Sequence, residues 1–229
     1  MNILLTNDDG YFAEGIKLLR EKLQKFGRVV IVAPQEVMSA KSCSLILGHQ
    51  VSVEKVEEDV YKMEGTPADC VAFGLSSLNI RFDLVVAGCN DGFNISYDIM
   101  YSGTVGACLQ ALTYRKPAIA VSCDVGDLTI VDDNFEKVFQ YIIENNLLSF
   151  DYALNVNFPK GGEIKEYVLT SIYYRHETTY YVDCGNGKYY AYRDINDKDC
   201  NEAGTDVYAV YHNQLSITKI SKTSLYKEN

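Results

Sequence analysis

With 229 residues and 47% apolar side chains, the chain is long enough to bury a substantial core, and its make-up is that of a folded globule rather than a disordered polymer. Its formal charge of −10 repels long polyanions, which excludes duplex nucleic acid and anionic membrane surfaces as expected partners. Seven scattered cysteines without a CxxC pair, and three histidines far apart, point to reduced thiols in a cytoplasmic protein and away from a structural zinc site.

The first apolar run, residues 3–5, reads as a buried strand, and it stops abruptly at Asn7-Asp8-Asp9-Gly10. No basic leader precedes it, so no signal peptide is expected, and no run is apolar for long enough to span a bilayer. Two adjacent carboxylates at a strand end resist joint ionisation, and burial sharpens the cost. Two readings meet that cost. Either a bound divalent cation neutralises the pair, or the segment is a turn with one Asp capping a helix.

Next, Ile16, Leu19, Leu23 and Phe26 recur at helical spacing, with Gly27 placed as a C-cap. Residues 29–33 are a β-branched strand closed by Pro34, which completes a right-handed strand–helix–strand unit. A polar loop at 35–44 carries Ser39. Residues 45–53 and 60–63 read as a small antiparallel pair. Thr66-Pro67 opens a helix whose inner face is Val71, Leu75 and Leu78. Residues 83–87 form another strand, followed by a Gly/Asn/Asp-rich stretch to Ser102 and a helix with Val105, Cys108, Leu109 and Leu112 inward. A strand at 118–122, a helix carrying Phe135, Val138, Phe139, Ile142 and Ile143, and a strand at 152–157 complete the pattern.

This alternation predicts an α/β core, residues 1–158, with a mostly parallel sheet between two helix layers. Residues 159–229 change character. They are rich in Tyr, Thr and Val, with a hairpin signal at Gly185-Asn186-Gly187, and read as an antiparallel extension. Its tyrosines (Tyr173, Tyr174, Tyr180, Tyr181, Tyr189, Tyr190 and Tyr192) suit either a strand surface or an interface.

In open parallel sheets ligands bind beyond the carboxyl ends of the strands. Three loops leave that edge. One carries Asp8 and Asp9, one Ser39, and one Asn90 and Asn94. Carboxylate, hydroxyl and amide oxygens are hard donors that suit Mg²⁺, Mn²⁺ or Ca²⁺. Taken singly, each Ser or Asn reads as a loop residue satisfying the backbone; together on one edge they read as a site. Tyr101-Ser102-Gly103-Thr104 stands just before a helix, which makes it either an anion site or a plain N-cap. A metal and an anion on one edge suggest metal-assisted chemistry on a phosphate ester. There is no P-loop, no GxGxxG and no GxSxG elbow.

These segments resemble the SurE family of metal-dependent nucleotidases, also described as survival-protein phosphatases. The matching stretches are Thr6-Asn7-Asp8-Asp9-Gly10, Val32-Ala33-Pro34 with Ser39, Gly65-Thr66-Pro67-Ala68-Asp69, Gly88-Cys89-Asn90-Asp91-Gly92-Phe93-Asn94 running on to Ser102-Gly103-Thr104, Asn155-Val156-Asn157-Phe158-Pro159 and Leu215-Ser216-Ile217-Thr218. The resemblance implies a Rossmann-like fold with a C-terminal arm used in homodimers or homotetramers. It implies removal of phosphate from nucleoside 5′- or 3′-monophosphates with one divalent cation per subunit, Mn²⁺ or Mg²⁺. By motif, Asp8, Asp9, Ser39 and Asn90 look like the metal ligands. Asn94, Ser102, Gly103 and Thr104 look like the phosphate surroundings, and Asp8, Asp9 and Asn94 like the catalytic set. Attack by water and attack by a carboxylate both stay open.

Three positions depart from the family pattern: Ala40, Ser42 and Ser96 stand where the family usually has glycine. If those glycines take a left-handed backbone, the replacements cost roughly a kcal/mol each or reshape the loops. That keeps a non-catalytic nucleotide- or metal-binding module as the rival expectation.

Overall fold

The computed structural model describes residues 1–174, 178–194 and 200–221. His176, and the parts of the expected C-terminal extension at 175–177, 195–199 and 222–229, lie outside the described residues. The chain opens with β1 (Asn2–Thr6), α1 (Glu14–Gln24) and β2 (Arg28–Pro34), the expected first unit. There follow β3 (Val53–Glu57), β4 (Val60–Met63), α2 (Pro67–Ser77), β5 (Leu84–Asp91), α3 (Asp98–Tyr101) and α4 (Gly103–Thr113). Then come β6 (Ala118–Cys123), α5 (Leu128–Glu144), β7 (Ala153–Asn157) and β8 (Glu166–Thr170). The described chain ends with β9 (Thr178–Gly185), β10 (Lys188–Asp194), α6 (Asp206–Tyr211) and β11 (Gln214–Ile220).

Nine strands form one sheet in the order β3-β4-β2-β1-β5-β6-β7-β11-β8. From β4 to β7 every neighbouring pair is parallel. Alternate residues of the central strands serve opposite faces. Ile3, Leu5, Val29 and Ile31 pack with α1 and α5 through Ile16, Leu19, Leu23, Phe135 and Phe139. Leu4, Val30 and Val32 pack with α2 and α4 through Cys70, Val71, Val105 and Cys108. Burial on both faces is why these strands read as unbroken apolar runs. The expected Rossmann-like, three-layer α/β architecture is therefore present.

Local signals account for several boundaries. α2 begins with a reciprocal cap: Thr66 Oγ1 accepts from the Asp69 N–H at 3.1 Å, and Asp69 Oδ2 accepts from the Thr66 N–H at 3.0 Å. Pro67 follows in the first helical turn, where its missing N–H costs nothing. The β9–β10 turn places Asn186 and Gly187 at φ 56° and 71°, the left-handed pair that a tight hairpin requires.

One expectation is corrected and one is refined. Residues 45–52 are not a strand; β3 begins only at Val53. Leu45, Ile46 and Leu47 are exposed, so this apolar run has no core face, and the Ile46 N–H is taken by Asp69 at 3.1 Å instead of a strand partner. The chain beyond residue 158 also divides. β11 pairs antiparallel with β7 and parallel with β8, so both extend the main sheet. Leu215 and Ile217 supply the apolar side chains that cover the rim of β7. The separate antiparallel piece among the described residues is the β9–β10 hairpin.

Candidate active site

The strand order reverses direction between β1 and β5, which makes their carboxyl ends the switch point of the sheet. β1 delivers Asp8 and Asp9 there. The loop after β1 is tied to the loop after β2, because the Asp8 carbonyl accepts from the Met38 N–H at 2.7 Å. Asn7 fixes the turn by donating from Nδ2 to the Gly10 carbonyl at 2.8 Å.

Asp8 is 4% exposed and lies against the start of α4. Its Oδ1 accepts from Thr104 Oγ1 at 2.5 Å. The approach is close enough that a Cβ built on Gly103 would meet Asp8 Cβ at 2.9 Å, so the helix can begin here only with glycine. Burial pushes the Asp8 carboxyl up to about 6. Thr104 and the Gly103 N–H oppose that rise, and the charge of Asp9 adds to it. The Asp9 carboxyl is also raised, first by burial; the Asp91 N–H opposes this and the Asp91 charge reinforces it.

Ser39 and Ala40 come from the loop after β2. That loop lies directly on α4: the Ser42 N–H donates to the Tyr101 carbonyl at 2.9 Å, and a Cβ on Gly106 would fall 2.1 Å from the Ser42 carbonyl oxygen. From β5 come Asn90, which donates to the Gly92 carbonyl at 2.7 Å, and Asp91, which accepts from the Gly126 N–H at 2.6 Å. Asn94 is buried within a network. Its N–H donates to Asn157 Oδ1 at 2.8 Å and its Nδ2 to Ser122 Oγ at 2.8 Å. Its carbonyl accepts from Asn155 and Asn157 at 2.7 and 3.1 Å.

These parts line an open cavity of about 190 Å³. Asp8, Asp9, Ser39, Asn90, Asn94 and Ser102, all expected from the sequence, line it together with Ala40, Asp91, Asp98 and Tyr101. Gly103 and Thr104 do not line it; they hold Asp8. Ser102 caps α4, its Oγ accepting from the Val105 N–H at 3.1 Å. The lining has four carboxylates and no Lys, Arg or His. A larger groove, about 590 Å³, lies between α1 and the β3–β4 hairpin. It lacks a comparable set of converging oxygen donors.

The donor set fits a hard cation. Burial without a countercharge disfavours the charged form of a carboxylate, which is why Asp8 is pushed up to about 6, and an oxygen-loving dication opposes that cost. Among the described residues no group of three or more His, Cys, Asp or Glu side chains forms a metal cage. Asp8 and Asp9 line the cavity beside Ser39 and Asn90, which add neutral oxygens to the two carboxylates.

Sequence reasoning named Tyr101 only within the segment before α4, and it gave no site role to Asp91 or Asp98, nor to the supporting Ser122, Asn155 and Asn157. The Asn-Val-Asn spacing held the clue for the last two, since alternate residues of β7 face one side.

All three replaced glycines occupy left-handed backbone: Ala40 at φ 58°, Ser42 at 52° and Ser96 at 51°. They are not equivalent. Ala40 is exposed, whereas Ser96 is fully buried and its Oγ donates to the Tyr173 carbonyl at 2.6 Å. Ala40→Gly is expected to stabilise by up to about 1 kcal/mol, strain relief outweighing the added chain entropy. Ser96→Gly is expected to destabilise by about 1 kcal/mol, because the loss of its part-buried hydrogen bond to the Tyr173 carbonyl outweighs the relieved backbone strain. Urea denaturation of both variants checks the opposite signs.

The fold and the cavity define a Rossmann-like α/β protein whose acidic, oxygen-lined pocket opens at the carboxyl ends of its central strands. Residues 3–179 match the family described as Survival protein SurE. The 5′-nucleotidase SurE of Clostridium botulinum is 36% identical over 235 residues, covering 96% of this chain and 93% of the relative. The 5′-nucleotidase SurE of Acinetobacter baumannii is 39% identical over 178 residues, covering 74% of this chain and 70% of the relative. The crystal structure of the SurE protein from Aquifex aeolicus superposes with a TM-score of 0.84 at 34% identity, over 100% of this chain and 95% of that one. The chain belongs to the SurE family. No described helix is long and apolar enough to cross a membrane.

Proposed function

We propose that this protein is a metal-dependent phosphomonoesterase that hydrolyses nucleoside 5′- or 3′-monophosphates to nucleoside and phosphate. The observation that carries the reading is the meeting of Asp8, Asp9, Ser39 and Asn90, from two loops and the end of β5, with Ser102 at the start of α4 in one cavity. The relatives named 5′-nucleotidase SurE support it.

In this reading Asp8, Asp9, Ser39 and Asn90 hold one Mn²⁺ or Mg²⁺. When bound, the ion supplies charge neutralisation at the phosphoryl group. The chain's own residues do the rest. Thr104 and the Gly103 N–H keep Asp8 fixed and leave its carboxylate little freedom for proton transfer. Asp9 is less encumbered and only half-buried, so it is the residue placed to take the proton of an attacking water. Asn94, immobilised by Ser122, Asn155 and Asn157, and Ser102 before α4 receive the phosphate.

Phosphate release from a panel of nucleoside 5′- and 3′-monophosphates tests the reading. Activity should vanish in chelator and return with Mn²⁺ or Mg²⁺. Full activity after stripping would remove the metal from the mechanism, and no release with any nucleotide or metal would favour the binding module.

The reading extends to assembly. Residues 1–158 carry the catalytic machinery, and the β9–β10 hairpin within 159–229 serves as an arm joining a homodimer or homotetramer. Its support is exposed aromatic area: Tyr180, Tyr190 and Tyr192 cluster on one face, and Tyr181 and Tyr189 are exposed as well. Light scattering at micromolar concentration should give a multiple of the chain mass; a monomer would contradict the arm. A cytoplasmic location suits the seven free cysteines.

A further inference from the structure

The cavity is too small for a whole nucleotide. Sites for ligands of that size span about 300–1,000 Å³, against about 190 Å³ here. The phosphate end fits inside, and a base must lie at the mouth. What stands at the mouth is Tyr101, which lines the cavity and is 47% exposed. It directly precedes Ser102, so an aromatic face lies one residue from the start of α4.

A second chain segment meets that ring. Arg193, on β10, places its guanidinium carbon 5.2 Å from the Tyr101 ring centroid. Its Nη2 donates to Asp98 Oδ1 at 2.7 Å, and Asp98 also lines the cavity. The two side chains of this ion pair are 33% and 25% exposed, so the contact sits at the rim, neither buried nor fully solvated. β10 belongs to the separate two-stranded sheet, yet it brings a planar cation to a cavity whose own lining has none. Planar guanidinium and aromatic surfaces are what nucleobases stack on, and such stacking tolerates any base because each has a π-face.

We propose that Tyr101 and Arg193 form the nucleoside-recognition wall of this site, a flat aromatic–guanidinium platform that receives the base, with Asp98 orienting the guanidinium. The proposal rests on the phosphomonoesterase reading above. It makes the hairpin a part of substrate recognition as well as a candidate arm.

The test compares nucleoside monophosphates with ribose 5-phosphate, which keeps sugar and phosphate but has no base. Arg193→Ala and Tyr101→Leu should each raise KM for the nucleotides about tenfold while kcat stays within about twofold. Kinetics on ribose 5-phosphate should not change. Arg193→Lys keeps the charge but loses the plane, and should show most of the rise. Unchanged nucleotide KM would overturn the platform, and so would equal losses on ribose 5-phosphate, which would make Arg193 a phosphate contact or a strut. Light scattering should give the variants the parent's mass. Calorimetric dissociation constants for the same ligands should show the same split. A parent that releases no phosphate sinks the phosphomonoesterase reading, and the platform is then decided by the dissociation constants alone.

Discussion

Asp9→Asn is expected to release phosphate about a thousandfold more slowly than the parent, the scale seen when a group acting only in the transition state is removed. The substitution keeps size and shape. It removes one negative charge and the capacity to take a proton. Of the two adjacent carboxylates, Asp9 is the one that Thr104 and Gly103 leave unengaged. Its removal should lower kcat far more than it raises KM, because Ser102, Asn94 and the start of α4 still receive the phosphate. In chelator, the variant should melt within about 2–4 °C of the parent, since a half-buried side chain changes little in the core. Phosphate release under saturating Mn²⁺, paired with thermal melts, separates the two effects. A loss of less than about tenfold would move the proton acceptor elsewhere in the cavity.

Much of this site is legible in the sequence because each part is local. A buried strand shows as an unbroken apolar run, and the loop that follows it carries its polar residues in sequence. The runs at 3–5, 29–33 and 83–87 therefore locate Asp8, Asp9, Ser39, Asn90 and Asn94 on one edge before any coordinates exist. The same logic explains the failures. Leu45-Ile46-Leu47 has strand chemistry but no neighbour to bury it, and burial is a property of the fold. β8 and β11 are far apart in sequence, and only their pairing beside β7 makes them part of the main sheet. The meeting of Arg193 with Asp98 and Tyr101 has no local signature, because it depends on where a hairpin is carried. The three left-handed non-glycine residues lie between these extremes. The sequence poses the question of strain at Ala40, Ser42 and Ser96, and the backbone angles answer it.

The contribution of Asp8 to stability in chelator should fall as pH rises, and Asp8→Asn should abolish that part of the pH dependence. The Asp8 carboxyl stands at about 6 in the folded chain against an ordinary 3.8. The folded state therefore holds this proton more tightly than the unfolded state does. Below 3.8 both states are protonated and Asp8 contributes nothing to the slope. Between 3.8 and 6 the folded state carries the extra proton, so stability declines with pH, and above 6 the full cost is present. That cost is on the order of 3 kcal/mol. Asp9, raised in the same direction, adds a slope of the same sign. Asn cannot ionise, and its Oδ1 can still accept from Thr104. The gap between parent and Asp8→Asn should therefore shift in favour of the variant between pH 4 and pH 7.5. With Mn²⁺ the order should reverse, because only the parent keeps both carboxylates for the proposed ion. Free metal at about a hundredfold over its dissociation constant stabilises by ~2.7 kcal/mol. Urea melts of both proteins at several pH values, with chelator and with Mn²⁺, decide the matter. If Asp8→Asn unfolds well before the parent at pH 7.5 in chelator, then Asp8 serves chiefly to cap α4 through Gly103 and Thr104. The turn reading of Asp8-Asp9-Gly10 would then replace the metal site.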